Sequence, residues 1–238
     1  MILLLNVGVN TSHGFRAPIY RDGSFVYIPI PEHYDVTELV NPITYKELGL
    51  GKYLPESISE YDFAHYDPEF ITFTYGHKKR YGDILAQLKK DDLLLFFATL
   101  EYSDDETERN KEISPTWGAY IIGYFIVDRI IKYKEFVERP HEFLNEVSNN
   151  AHLRRRDQKF DLIIIGNPDK SALLHHAVPL SDPNDPKKPN NFLAEIAESS
   201  LDGPWYHRII KCKDSERKRV LKEIHRRNPY LGPKLKDY

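Results

Sequence analysis

The chain of 238 residues contains one cysteine, one methionine, two tryptophans and no long apolar run. The lone Cys212 excludes an internal disulfide framework and any cysteine-built zinc site, and it points to a reducing, cytoplasmic setting. No segment approaches the roughly 20 apolar residues of a membrane span. Met1 to Leu5 is too short for a signal peptide and has no basic flank, so no membrane partner is expected. HExxH, GxSxG, P-loop and dinucleotide glycine spacings are all missing, which excludes the ready-made chemistry that those motifs carry. Scarce Met, Cys and Gln beside 16 Tyr and 12 Phe fit a thermophilic source. Neither a repeat nor a low-complexity linker divides the chain.

What is present fits a folded α+β protein. Hydrophobic residues make up 41% and charged ones 29%, enough for a real core under a charged surface. Residues 1–238 are read as one domain, a mixed, strongly bent sheet or small barrel flanked by helices. Strand candidates are Ile2 to Leu5, Phe70 to Tyr75, Leu93 to Leu100, Trp117 to Val127 and Asp161 to Ile165. Gly118 and Gly123 mark bulges or close backbone approach in the fourth. Ile43 to Leu48, Gly82 to Leu88, Ile130 to Val147 (interrupted at Pro140) and Ala172 to Ala177 read as helical. A basic C-terminal helix is placed at about 215–227, with Val220, Leu221 and Ile224 as its apolar stripe and Asn228-Pro229 as its stop.

The opening stretch concentrates polar chemistry. The apolar Ile2 to Leu5 leads into Asn6, Asn10, Thr11, Ser12, His13, Gly14 and Arg16, and Asp22-Gly23 marks a tight hairpin. Loops held by rigid strands are where binding groups gather, although Asn, Ser and Thr also serve plain backbone capping.

Two further runs interleave cations with rings and amides. One is Tyr75, His77, Lys78, Lys79, Arg80 and Tyr81; the other is Asn149, Asn150, His152, Arg154, Arg155 and Arg156. Lys and Arg neutralise phosphates and aromatic rings stack on unpaired bases, while Asn hydrogen-bonds base edges. Gly166 to Ser171 reads as a turn from strand to helix, where main-chain N–H groups could hold a phosphate. His65 with Asp62 and Asp67 offers ligand types at a spacing that matches no recognised metal site. Glu32, His13, Lys170 and Asp83 are acid–base types with no selective pairing. No metal and no cofactor is expected.

The motifs Asn6-Val7-Gly8-Val9-Asn10, Ser12-His13-Gly14, Arg16-Ala17-Pro18-Ile19-Tyr20, Asp22-Gly23-Ser24-Phe25 and Ile28-Pro29-Ile30-Pro31-Glu32 resemble the start of the Nucleotide modification associated domain 3 family. Asp67-Pro68-Glu69-Phe70, Phe73-Thr74-Tyr75-Gly76, Asp92 to Phe97, Tyr120 to Tyr124, Asn150-Ala151-His152, Ser171 to Leu174 and Ala177 to Leu180 extend the likeness over most of the chain. The resemblance implies a prokaryotic or phage system that modifies or senses nucleic-acid bases. Asp91-Asp92 to Phe97 followed by Tyr120 to Val127 is similar, more loosely, to PUA-like barrels (EVE, YTH and ASCH domains). That likeness implies a small barrel that binds modified bases.

Together these readings predict recognition or processing of nucleic-acid bases, modified ones in particular. Asn10, Ser12, His13 and Arg16 would form the pocket, with Tyr75, Asn150 and His152 as its wall. His77, Lys78, Lys79, Arg80, Arg154, Arg155 and Arg156 would contact phosphates. The partners expected are nucleic acid or a nucleotide, and proteins of a modification system. Two alternatives stay open: an enzyme acting on a modified nucleoside or nucleotide, and a protein-docking module with basic faces.

Overall fold

The computed structural model describes residues 1–78, 82–103 and 116–231. The strands are β1 (Ile2–Asn6), β2 (Ala17–Ile19), β3 (Ile30–Pro31), β4 (Ala64–His65), β5 (Thr74–His77), β6 (Leu93–Tyr102), β7 (Trp117–Lys132), β8 (Leu162–Gly166), β9 (Ala172–Pro179) and β10 (Ile210–Cys212). The helices are α1 (Gly82–Leu85), α2 (Tyr133–Glu138), α3 (Pro140–Val147), α4 (Asn191–Ile196) and α5 (Arg217–Arg227).

Among the described residues, eight strands form a mixed sheet of order β10-β1-β6-β7-β8-β5, with β2 beside β6 and β9 beside β7. β1 and β2 run parallel to β6, while β10 runs antiparallel to β1 and β8 antiparallel to β7 and β5. The fold is therefore α+β, but no closed sheet forms among the described residues. The small barrel implied by the looser resemblance is not found.

The chain divides into two compact units, residues 1–28 with 93–124 and 173–238, and residues 29–92 with 125–172. In the first, β1 and β6 carry unbroken apolar runs with Ile2, Leu3, Leu4 and Leu93 to Phe97 fully buried, as expected of strands covered on both faces. Asp22-Gly23 makes the predicted tight turn. Gly23 adopts φ +88, its N–H bonds the Tyr20 carbonyl at 2.9 Å, and Ile19 bridges Phe25. In the second unit, α2 and α3 pack Phe136, Phe143 and Val147 against Phe160, Ile163 and Ile165.

Several sequence expectations are corrected. Ala172 to Ala177 is part of strand β9, not a helix, because a short apolar run carries no period that separates the two. Gly166 to Ser171 consequently joins two strands, so there is no helix start to hold a phosphate. The Asn167 carbonyl instead accepts the N–H groups of Lys170 and Ser171. β7 continues through Ile130 to Lys132 before α2 begins, and its pairing with β8 is irregular between Val127 and Arg129. Ile43 to Leu48 forms turns, and Phe70 to Phe73 is a turn ahead of β5.

The basic C-terminal helix is found as α5, with Val220, Leu221 and Ile224 buried. Its stop residue, Asn228, is fully buried. Asn228 Oδ1 accepts the N–H groups of His175 (3.1 Å) and His176 (2.9 Å), and Nδ2 donates to the carbonyls of His176 (3.0 Å) and Ile224 (3.1 Å). Asn228→Ala removes these partners of the His176 N–H and carbonyl, while the His175 N–H keeps Tyr230 Oη at 2.7 Å and the Ile224 carbonyl keeps the main-chain N–H of residue 228 at 3.0 Å. It should destabilise the fold by about 2 kcal/mol, given about 1–3 kcal/mol for an unsatisfied buried polar group. The check is a urea unfolding curve, and an unchanged midpoint would contradict the role.

Candidate functional sites: an aromatic cavity and a buried polar group

The first unit contains a cavity of about 390 Å³, within the range of small-molecule sites. The Tyr20–Gly23 hairpin forms part of the wall, with Tyr102 from β6 and Trp117, Gly118 and Tyr120 from β7. Asp182, Asn190 and Arg227 add polar groups. The Tyr102 and Tyr120 hydroxyls hydrogen-bond, and burial followed by that bond raises Tyr120 well above the ordinary phenol range. Hydrogen bonds from Ser24 hold the Asp22 carboxyl below its ordinary value. The cavity thus offers flat rings, a carboxylate that stays ionised and an arginine.

Asn10, Ser12, His13 and Arg16 are not among the residues lining this cavity. Asn10 Oδ1 accepts the N–H and hydroxyl of Ser12 (2.9 and 2.7 Å), and His13 Nδ1 accepts the Asn10 N–H at 3.2 Å. The first three residues therefore cap a short 3-10 turn, Thr11–His13. Arg16 reaches the cavity at one remove: its guanidinium lies 4.2 Å from the centroid of Trp117.

The second unit gathers a different polar group. The β3–β4 pairing sets Ile30 opposite His65, which brings Glu32 alongside His65. Asn150 opens a 3-10 turn, Ala151–Arg154, and its side chain caps the His152 N–H. These short elements converge on Asp67. His65 Nε2 and His152 Nε2 lie 3.9 and 3.6 Å from Asp67 Oδ2, and the two imidazoles meet edge to face at 5.1 Å. Asp67 Oδ1 accepts the Gly76 N–H at 3.0 Å and the Asn150 amide at 3.2 Å. A Cβ on residue 76 would lie 2.3 Å from His152 Cδ2, so only glycine fits there.

Arg155 closes the group through a bidentate bond to Glu32, Nη2 to Oε1 at 2.8 Å and Nε to Oε2 at 3.1 Å. Its guanidinium sits 4.3 Å from the Tyr34 ring centroid. His65 Nδ1 lies 3.1 Å from Glu32 Oε2 and 3.0 Å from Arg155 Nη2. A guanidinium only donates and an ionised carboxylate only accepts. We place the proton on Nδ1, facing Glu32, because Nη2 already lies 2.8 and 3.0 Å from the two Glu32 oxygens.

Burial sets the ionisation of this group. It pushes the Asp67 carboxyl well above the ordinary carboxylate value, only partly offset by the Gly76 N–H. It pushes His65 and, further, His152 below the ordinary imidazole value. Glu32 behaves oppositely: burial raises it, but hydrogen bonds from His65 and Arg155 prevail and hold it well below the usual carboxylate range.

Of the residues singled out in the sequence, Glu32, His65, Asp67, Asn150, His152 and Arg155 come together here. Tyr75 does not face them, since residues alternate along β5. Thr74 Oγ1 accepts from Asn150 at 3.2 Å, whereas the Tyr75 hydroxyl lies 3.2 Å from His77 Nδ1 on the other face. Arg154 bonds the Asn149 carbonyl at 3.2 Å, Lys78 faces Asp157 at 3.7 Å, and Arg156 is exposed. Lys79, Arg80 and Tyr81 lie outside the described residues. Asp62, grouped with His65 by sequence, caps the Ser59 N–H at 2.9 Å instead. The cavity residues Tyr20, Tyr102 and Tyr120 were missed. Their signal was the hairpin and the glycine-bearing strand β7, which the sequence reading treated as framework.

Fold and geometry define an α+β protein with an aromatic-walled cavity and a buried His–Asp–His group. The chain belongs to the Nucleotide modification associated domain 3 family, whose model matches residues 1–222. Neither the curated proteins nor the solved structures gave a significant match. No helix among the described residues is long and apolar enough to cross a membrane.

Proposed function

We propose that the protein recognises an unstacked nucleobase, free or in a single strand, within a nucleotide-modification system, and that the cavity of the first unit is where the base sits. The observation that carries this reading is the wall itself. Tyr20, Tyr102, Trp117 and Tyr120 surround a volume of about 390 Å³ together with Arg21, Asp22 and Arg227. Rings give sequence-tolerant stacking, a carboxylate accepts from an exocyclic amine, and an arginine answers a phosphate or a base carbonyl. Arg16, stacked on Trp117, holds the ring that the base would meet, so the polar N-terminal loop serves the site indirectly. Family membership supports the nucleotide class of ligand.

A base read in a pocket must first leave its stack, at a cost of a few kcal/mol that is smallest for unpaired bases. One oligonucleotide sequence should therefore bind best single-stranded, less well as a mismatch and least well fully paired. Trp117→Ala should weaken single-strand binding roughly tenfold or more, since stacking on an aromatic contributes about 1–3 kcal/mol per base. Fluorescence anisotropy at fixed salt measures both effects. Tightest binding to the paired form, or an unchanged Kd in a folded Trp117→Ala protein, would reject the cavity as a base site. Conversion of a modified nucleoside to a new product by the wild-type protein would instead favour the enzyme alternative.

A further inference from the structure

We propose that His65, Asp67 and His152 bind a divalent transition metal through two imidazole nitrogens and one carboxylate oxygen. This is independent of the base-binding cavity, which belongs to the other unit. One donor atom from each of the three residues lies within 4.8 Å of the others. The separations from Asp67 Oδ2 to the two Nε2 atoms, 3.9 and 3.6 Å, exceed hydrogen-bond length. They approach the roughly 3.4 Å that separates two ligands about 2.0–2.1 Å from a tetrahedral ion. Shifts of a few tenths of an ångström bring both Asp67–imidazole separations to that value, while the two imidazole nitrogens close from within 4.8 Å of each other.

The surroundings are those a metal site requires. Glu32 Oε2 takes the Nδ1 proton of His65 at 3.1 Å, so the Nε2 lone pair is directed at Asp67. A carboxylate behind a ligating histidine is the usual outer partner of such sites. His152 Nδ1 lies 3.4 Å from Arg155 Nη1, longer than an ordinary N–H hydrogen bond, and ligation through Nε2 puts the ring proton on Nδ1. The Gly76 N–H is shared between Asp67 Oδ1 (3.0 Å) and Oδ2 (3.1 Å), and the Asn150 amide donates to Oδ1 at 3.2 Å, which together fix the plane of the carboxylate. Arg155 is paired with Glu32, and Asp67 faces the two imidazoles. Two nitrogens and one oxygen suit Zn²⁺, Fe²⁺ or Co²⁺ over the hard ions Mg²⁺ and Ca²⁺, which prefer all-oxygen sites. Three protein ligands leave further positions open, the arrangement of sites that bind a substrate or water.

The experiment is titration of the chelator-treated full-length chain with Co²⁺, followed by visible absorption, then competition with Zn²⁺ and, separately, Mg²⁺. The expected result is saturation at one equivalent, displacement by Zn²⁺ and no displacement by Mg²⁺. His152→Gln and Asp67→Asn should each weaken Co²⁺ binding at least a hundredfold and abolish the rise in Tm that the metal gives the wild type. Nitrogen-edited NMR of the wild-type imidazoles keeps the test decisive if both variants unfold, because Zn²⁺ should move two of the ten histidine side chains. No saturable Co²⁺ signal at one equivalent, wild-type binding by a folded ligand variant, or Zn²⁺ shifts elsewhere than His65 and His152 would each overturn the site.

Discussion

Arg155→Met is expected to destabilise the protein by about 3–5 kcal/mol, the cost of leaving one member of a buried ion pair uncompensated. Side-chain exposure is 6% for Arg155 and 4% for Glu32, so little water would be available to resolvate the orphaned carboxylate. Met keeps much of the aliphatic stem but loses the guanidinium over Tyr34, so the loss falls mainly on charge, hydrogen bonding and that cation–ring contact. Pairing Arg155→Met with Glu32→Gln should recover a large part of the loss, because burying a neutral amide is far less unfavourable than burying an unpaired carboxylate. Chemical denaturation of the two single variants and the double variant completes the cycle. A double variant no more stable than Arg155→Met would mean that the penalty comes from packing and not from charge.

That buried pair shows what was legible in the sequence and what was not. The run Arg154 to Arg156 announces a basic cluster, and at the level of composition it is one. Three consecutive residues cannot all face the same way, however, and the middle one turns inward to a glutamate 123 positions earlier. Asn150 and His152 stood out in the sequence as part of a polar-basic run ahead of a core strand, and the fold places them together beside Asp67. Their neighbours His65 and Asp67 were visible only in an unevenly spaced set with Asp62, since His152 reaches them through the fold. The parallel pairing of β1 with β6 left no local sign, but the apolar runs identified both strands. β9 was misread because an eight-residue segment with adjacent histidines has neither a clear period of two nor one of 3.6. The N-terminal loop gave the opposite lesson: its polar residues are real, but Asn10, Ser12 and His13 satisfy one another.

Gly76→Ala should be destabilising by about 3 kcal/mol, at the upper end of what overpacking a core costs. The sign is itself diagnostic. At a position whose backbone is compatible with a side chain, replacing glycine by alanine stabilises by about 0.4–1 kcal/mol through the unfolded state, and Gly76 is not among the glycines with positive φ. The added methyl would lie 2.3 Å from His152 Cδ2 and 2.6 Å from Asn150 Oδ1. Neither neighbour can yield cheaply. Asn150 is tied to Asp67, Thr74 and the His152 N–H at 3.2, 3.2 and 3.0 Å, and His152 is held against His65. Relieving the clash would move β5 away from the turn at 150–154, lengthening the Gly76–Asp67 bond and pulling the carboxylate off both imidazoles. The variant should thus lose stability and metal affinity together, the first read from urea unfolding and the second from Co²⁺ absorption. A Gly76→Ala protein as stable as the wild type would mean that Asn150 and His152 do not pack against β5 as described, and the convergence on Asp67 would fall with them.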